Sequence, residues 1–308
     1  MFKKFKKLFP GLNQKQEEIA KQPEPESVAE FEVSSAQVSR VQARTALVFD
    51  AKKRIFITKK KLSNVALWCP DTQQIVIMTE TGKQQVVTVA GHRQDTLAIP
   101  FTGYWTENTT AGVGFYFPDR ALFQLKNDIF EHQATDDILF VFGPNTKQWQ
   151  PIAGDWNSDG VATIGLYDKE RAKFFLQNQH KGDIKADIEF NFGPRNSNLI
   201  PLAGDWNGDG QCTVGLYDVE QGIAMLQNQH RGGVRPDIRF KIIGAQTHWQ
   251  PIVGDWGKEG VDSLAFWDAN TQQVHLKYAN SNGGIDKVID MPSKQENVIP
   301  LAILNLLA

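Results

Sequence analysis

The chain has 308 residues, 41% of them hydrophobic and 22% charged, with 33 Lys and Arg against 35 Asp and Glu for a formal net charge of −2. That balance gives no global basic field for nucleic acid, and two cysteines make neither a disulfide framework nor a cysteine-rich zinc site. No apolar run reaches the 18 residues of a membrane-spanning helix, so the sequence describes a globular body with ample material for a core.

Residues 1–44 differ from the rest. Lys3, Lys4, Lys6 and Lys7 interleave with Phe2, Phe5, Leu8 and Phe9. Phe2, Phe5 and Phe9 share one face of a short helix that Pro10 and Gly11 end. The segment has the charge of a signal peptide but neither its apolar centre nor its small-residue cleavage site. Two readings follow. One is an interfacial anchor, with Phe2, Lys3, Lys4, Phe5, Lys6 and Lys7 meeting an anionic membrane surface; the other is a frayed basic start. Residues 12–30 carry a Pro-Glu-Pro-Glu run at 23–26 and no aromatic residue. They predict a flexible acidic linker, with a short helix over residues 14–21, because nothing there offsets chain entropy.

From residue 45 onward the sequence repeats. Gln150 to Trp156 reads QPIAGDW, Ile200 to Trp206 reads IPLAGDW, and Gln250 to Trp256 reads QPIVGDW, a period of 50 without slippage. Fainter copies run from Ile99 through Val113–Tyr116 to Leu139–Gly143 and, faintest, through Arg54–Thr58, Val65–Cys69, Ile75–Thr79 and Val86–Gly91. Each copy holds four short apolar or alternating runs between turn residues; in the third copy these are 151–156, 163–167, 173–178 and 187–192. Four strands in about 50 residues make one propeller blade. The chain ends on Ile299-Pro300-Leu301-Ala302, the opening of a repeat that never continues. This predicts an all-β propeller of about five four-stranded blades over residues 45–308, closed by pairing of that last run with the N-terminal strands. Residues 45–50 form an extra strand at the seam. A six-bladed ring is the alternative.

The loops after the first strand carry the candidate chemistry. Asp155, Asn157 and Asp159, then Asp205, Asn207 and Asp209, put oxygen side chains at loop positions 1, 3 and 5, with Gly160 and Gly210 at position 6. Alternating hard oxygens turned inward by a glycine are what a calcium loop needs. These stretches are similar to the FG-GAP/VCBS-type repeats of bacterial proteins and of integrin α-subunit propellers, whose loops read DxDxDGxxD. The likeness covers residues 150–270 well, 53–149 weakly and 1–44 not at all. It implies Ca2+ held by those six residues as metal ligands, and binding or adhesion rather than catalysis. The sequence departs from the pattern at position 9, which is Thr163 or Thr213. The third loop (Asp255, Gly257, Glu259, Ser263) lacks position 3, the loop at Tyr104, Thr106 and Asn108 has no carboxylate there, and residues 58–64 carry lysines. The alternative is that Asp and Asn cap their own loop amides in Asx turns without metal.

Trp156, Trp206 and Trp256 read as wedges between blades or, alternatively, as a carbohydrate-stacking face. Trp149 and Trp249 read as partly exposed, His180 and His230 as surface turn residues, and Asp168, Asp218 and Asp268 as hairpin caps. Cys69 and Cys212 read as small buried apolar groups. No nucleophile elbow, zinc-protease motif, phosphate loop or dinucleotide fingerprint occurs. The sequence thus points to a non-catalytic binding or scaffolding propeller, calcium-stabilised through its loops and peripherally membrane-associated through its N-terminus, with a protein partner. A carbohydrate-binding or adhesion propeller is the alternative, and a propeller hydrolase or lyase a third. Missing a signal peptide, the chain reads as cytoplasmic at the inner face of a membrane, or as exported without a cleaved signal.

Overall fold

A computed structural model of the chain describes residues 47–50, 53–57, 61–78, 83–89, 98–106, 111–127, 137–182, 185–233, 235–291 and 297–306. The expected basic helix, anchor residues and acidic linker of 1–44 lie outside the described residues.

Five four-stranded antiparallel sheets make up the body. From inner to outer strand, the second blade is Ile99–Gly103, Gly112–Phe117, Leu122–Lys126 and Ile138–Val141; the third is Trp149–Gly154, Thr163–Asp168, Lys173–Leu176 and Ile188–Asn191. The fourth is Ile200–Gly204, Thr213–Asp218, Ile223–Leu226 and Ile238–Lys241, and the fifth Gln250–Gly254, Ser263–Asp268, Gln273–Leu276 and Lys287–Asp290. The first blade takes its innermost strand from the other end of the chain: Ile299–Leu306 pairs with Lys61–Cys69, followed by Gln74–Met78 and Gln84–Thr88. Each innermost strand touches the next around a complete circle, and Ile299–Leu306 touches both Ile99–Gly103 and Gln250–Gly254. The body is a closed five-bladed β-propeller.

The sequence dictates this layering. The second strands Gly112–Phe117, Thr163–Asp168 and Ser263–Asp268 are buried at every residue, because a mid-blade strand is covered on both faces by neighbouring blades. The outer strand Ile188–Asn191 buries only Phe190 fully and leaves Glu189 and Asn191 exposed, the alternation of a half-covered edge. Every innermost strand carries one proline at the same register: Pro100, Pro151, Pro201, Pro251 and Pro300 lie opposite Phe115, Leu166, Leu216, Phe266 and Leu67. An innermost strand is a sheet edge, where proline removes an N–H that no strand would accept.

The core is divided among the blade junctions. All five buried clusters draw on two adjacent blades. Trp105 packs with Ile164 and Leu166, Trp156 with Val214 and Leu216, Trp206 with Leu264 and Phe266, and Trp256 with Val65 and Leu67. These tryptophans are at most 5% exposed, so they are wedges between blades. The glycine of the repeated Gly-Asp-Trp makes room for the next blade: a Cβ on Gly154 would lie 2.7 Å from Cys212 Cβ and 2.9 Å from the Trp156 ring.

Three expectations change. Lys53–Ile57 does not open the first blade; it and Leu47–Asp50 form a two-stranded sheet of their own. Residues 61–64 are not a loop, because eight residue pairs from Leu306↔Lys61 to Ile299↔Trp68 extend that strand through them. In the third blade the first strand ends at Gly154, which leaves Asp155 and Trp156 in the following turn.

Removing Val298 to Ala308 should unfold or severely destabilise the body. The segment carries buried Leu301 and Ile303 and the whole inner ladder of the first blade. Their loss costs on the order of 5 kcal/mol or more, comparable to the total stability of a domain. Thermal melts of the truncated and full chains measure this, and coincident melts would show that the ring does not depend on closure.

Candidate functional site

The loop between the first and second strands emerges at one end of the ring, together with the loop between the third and fourth. In the third blade, both Asp155 carboxylate oxygens accept loop amides, from Asp159 N at 3.1 Å and Gly160 N at 2.8 Å. Asp159 accepts from Val161 N at 2.8 Å and from Asn157 Nδ2 at 2.9 Å. The fourth blade repeats the arrangement. Asp205 accepts from Gly208 N, Asp209 N and Gly210 N at 2.8, 3.1 and 2.8 Å, and Asp209 accepts from Gln211 N and Asn207 Nδ2 at 2.9 and 2.8 Å. Gly160 and Gly210 take φ of +87° and +88° with open space around them, a backbone that a side chain would strain. In the fifth blade Asp255 accepts from Glu259 N and Gly260 N at 3.0 and 2.9 Å.

The structure thus gathers the six expected metal ligands into two sets of three, one per loop. Calcium takes six to eight oxygens. Each loop supplies three side chains whose oxygens already accept N–H groups, and Thr213 at position 9 turns its hydroxyl to Gln227 O at 2.6 Å. No group of three or more His, Cys, Asp or Glu among the described residues is placed to hold a metal. On this geometry the donor set fits a calcium cage poorly and fits a self-capped turn well. Burial raises the Asp155 carboxyl above its ordinary pKa, and the Gly160 and Asp159 amides oppose that shift.

The same loops latch the second blade to the third, the third to the fourth, the fourth to the fifth and the fifth to the first. Ala162 N donates to Tyr104 O at 2.7 Å, Cys212 N to Asp155 O at 2.8 Å, and Asp262 N to Asp205 O at 2.8 Å. Asp262 also accepts Asp205 N at 2.8 Å, and Ser63 Oγ accepts Asp255 N at 2.9 Å across the closing junction. Cys212 is half-buried on Gly154 rather than fully buried as expected, and desolvation first, then Asp262, Asp155 and Asp205, push its thiol well above the usual pKa.

The histidines lie in the expected bends but are only half-exposed, because each ring is engaged. His180 Nε2 donates to Trp105 O at 2.9 Å and His230 Nε2 to Trp156 O at 2.9 Å, each reaching into the preceding blade. Their rings lie edge-on to those tryptophans and beside Phe140 and Phe190. Trp249 is buried, at 7% exposure, and stacks on His275 at 4.0 Å; Trp149 is half-buried against Phe175. Asp168, Asp218 and Asp268 cap their hairpin turns as expected, taking amides from Glu170, Glu220 and Asn270. Sequence reasoning missed Asp187, Asp237 and Asp286, which cap the third-to-fourth-strand loops through Asn178 N, Asn228 N and Tyr278 N. Asp187 and Asp237 recur at the same distance after their Leu-Gln-Asn runs, which was the available signal, whereas Asp286 follows Leu276-Lys277-Tyr278 one residue sooner.

No family model and no curated protein matches the chain. Two solved structures are similar in outline. One is an Agrocybe aegerita lectin described as recognising non-reducing terminal N-acetylglucosamine: 12% identity, TM-score 0.39, 74% of this chain and 62% of that one. The chain therefore spans less than two thirds of that lectin's length. The other is a virginiamycin B lyase from Staphylococcus aureus: 13% identity, TM-score 0.37, 85% of this chain and 80% of that one.

Two outcomes follow. Burial lowers the pKa of His180 and His230 below 6.5, opposed by their carbonyl partners and, for His180, by Asp159. A depressed histidine contributes stability fully above the unfolded pKa and loses it as pH falls toward the folded value. The melting temperature should be flat above about pH 6.5 and fall as the pH drops below that value, a fall that the double variant His180→Gln, His230→Gln reduces. Melts across that range decide it, and an identical slope in the variant would locate the acid sensitivity elsewhere. For the loops, melting temperature should be equal in millimolar calcium and in chelator. A rise with calcium that Asp159→Asn with Asp209→Asn abolishes would make them cation sites.

Proposed function

We propose that this chain is a non-catalytic binding module that engages a protein partner through the ring face bearing the Gly-Asp-Trp loops. One observation carries the reading. The repeated polar side chains serve as turn caps and blade-to-blade latches, while the loop tips Asn157–Gly160, Asn207–Gly210 and Lys258–Gly260 stand exposed side by side at one end of a rigid ring. A closed ring positions loops without needing them for its core, which is what an interaction surface requires. Asp159, Asp209 and Glu259 give these tips a negative edge, and the matching partner surface is basic. The tryptophans that could have stacked on sugars are inside the junctions, which favours the protein reading over the carbohydrate one. Among the described residues no helix is long and apolar enough to cross a membrane.

The test uses the triple variant Asp159→Asn, Asp209→Asn, Glu259→Gln, which removes three exposed charges and keeps side-chain oxygens that can still cap the loop amides. A partner recovered with the full chain, purified and titrated back, should bind the variant at least about tenfold more weakly. Equal affinity would move the interface off this face. Binding of the full chain to a glycan array instead would replace the protein reading with the carbohydrate one.

A further inference from the structure

The three loop tips are not equivalent. In the third and fourth blades the tip acid is already engaged: Asp159 accepts Val161 N and Asn157 Nδ2, and Asp209 accepts Gln211 N and Asn207 Nδ2. The fifth blade has Gly257 where those asparagines stand. Asp255 still closes the turn, through Glu259 N at 3.0 Å and Gly260 N at 2.9 Å. Glu259 itself is exposed, and among the described residues no donor meets its carboxylate.

A second exchange accompanies the first. Tyr278 takes the place of Asn178 and Asn228 after the third strand, and its amide keeps their bond, donating to Asp286 Oδ2 at 2.7 Å. A Cβ on Gly257 would lie 3.1 Å from Tyr278 O and 3.8 Å from Tyr278 Cβ, so the tyrosine stands directly against the turn. Tyr278 is 40% exposed, the one aromatic side chain among the large exposed apolar residues described. Glu259 follows Gly257 by two positions, which holds their α-carbons within about 7 Å of one another. Where the other tips carry asparagines, the fifth therefore offers a carboxylate without a protein donor beside an exposed ring.

A π-face next to such a carboxylate suits a cation that is also flat. Guanidinium stacks on an aromatic ring and forks onto a carboxylate, whereas ammonium is a compact, strongly hydrated point charge. We propose that Tyr278 and Glu259 form the anchor subsite of the loop-tip face, and that it takes an arginine side chain of the basic partner. Asp159 and Asp209 then supply field and orientation. The fifth tip supplies the residue-specific contact, in the way that tyrosine and arginine dominate interface hot spots.

The inference rests on the acidic-face reading of the proposed function, and its test keeps the two apart. Capped hexaarginine and hexalysine peptides are titrated into the full chain at low ionic strength, where exposed charges are least screened. Hexaarginine should bind about threefold more tightly than hexalysine, the worth of an exposed cation–π contact. Tyr278→Leu keeps apolar bulk without a π-face and should remove that preference. Tyr278→Phe should retain it, and Glu259→Gln should shrink it. No preference in the parent chain, or the same preference in Tyr278→Leu, overturns the anchor while the acidic face stands. If neither peptide binds, or the Asp159→Asn, Asp209→Asn, Glu259→Gln variant binds both as the parent does, the acidic-face reading falls and the anchor with it.

Discussion

A blade of this propeller carries apolar side chains on both faces of its sheet, so no blade can bury its own core. Ile164, Leu166 and Trp105 meet only because the second and third blades press together, and the same is true at every other junction. A row of such sheets would end in two exposed apolar faces, and bending the row into a circle removes both ends. The chain closes that circle by placing Ile299–Leu306 against Lys61–Cys69, so the first blade is stitched from residues more than 200 positions apart. Loss of entropy in closing so long a loop is offset once, by an eight-pair ladder and two buried apolar side chains.

The polar groups of the repeat follow from the same constraint. Where apolar wedges from two blades meet, backbone groups at the junction rim are removed from water and need partners. The Gly-Asp-Trp loop supplies them: its aspartate caps the loop amides, while its carbonyl accepts an amide from the next blade, as Asp155 O does from Cys212 N. The histidine of the following blade reaches back to the tryptophan carbonyl. The Gly-Asp-Trp loop is a joint between sheets, whose carboxylates cap the loop amides while its backbone pairs with the neighbouring blade.

Much of the fold was legible because the repeat is strict. The 50-residue period, the proline of each inner strand and the orphan Ile299-Pro300-Leu301-Ala302 run point to a closed ring of about five blades. The weak copies were harder. Residues 54–58 have a strand's apolar character, and no local property distinguishes them from the distant segment that takes the inner position. The site was less legible. Asp155 and Asp159 show their spacing in sequence, but whether their oxygens face a metal or loop amides depends on backbone geometry. His180 seemed exposed because it follows polar Asn178 and Gln179. Its partial burial against Trp105 and Phe140 in another blade is a contact with no local signature.

The central claim is that the five junctions and the terminal strand stand or fall together. Native-state hydrogen exchange on the full chain tests it most directly. The slowest amides of Val65 to Trp68, Val113 to Tyr116, Ile164 to Tyr167, Val214 to Tyr217 and Leu264 to Trp267 should all open with one common free energy, equal to that of global unfolding. Amides of the first blade exchanging through a lower-energy opening, while the third and fourth remain protected, would show a ring whose seam opens independently and would contradict the account.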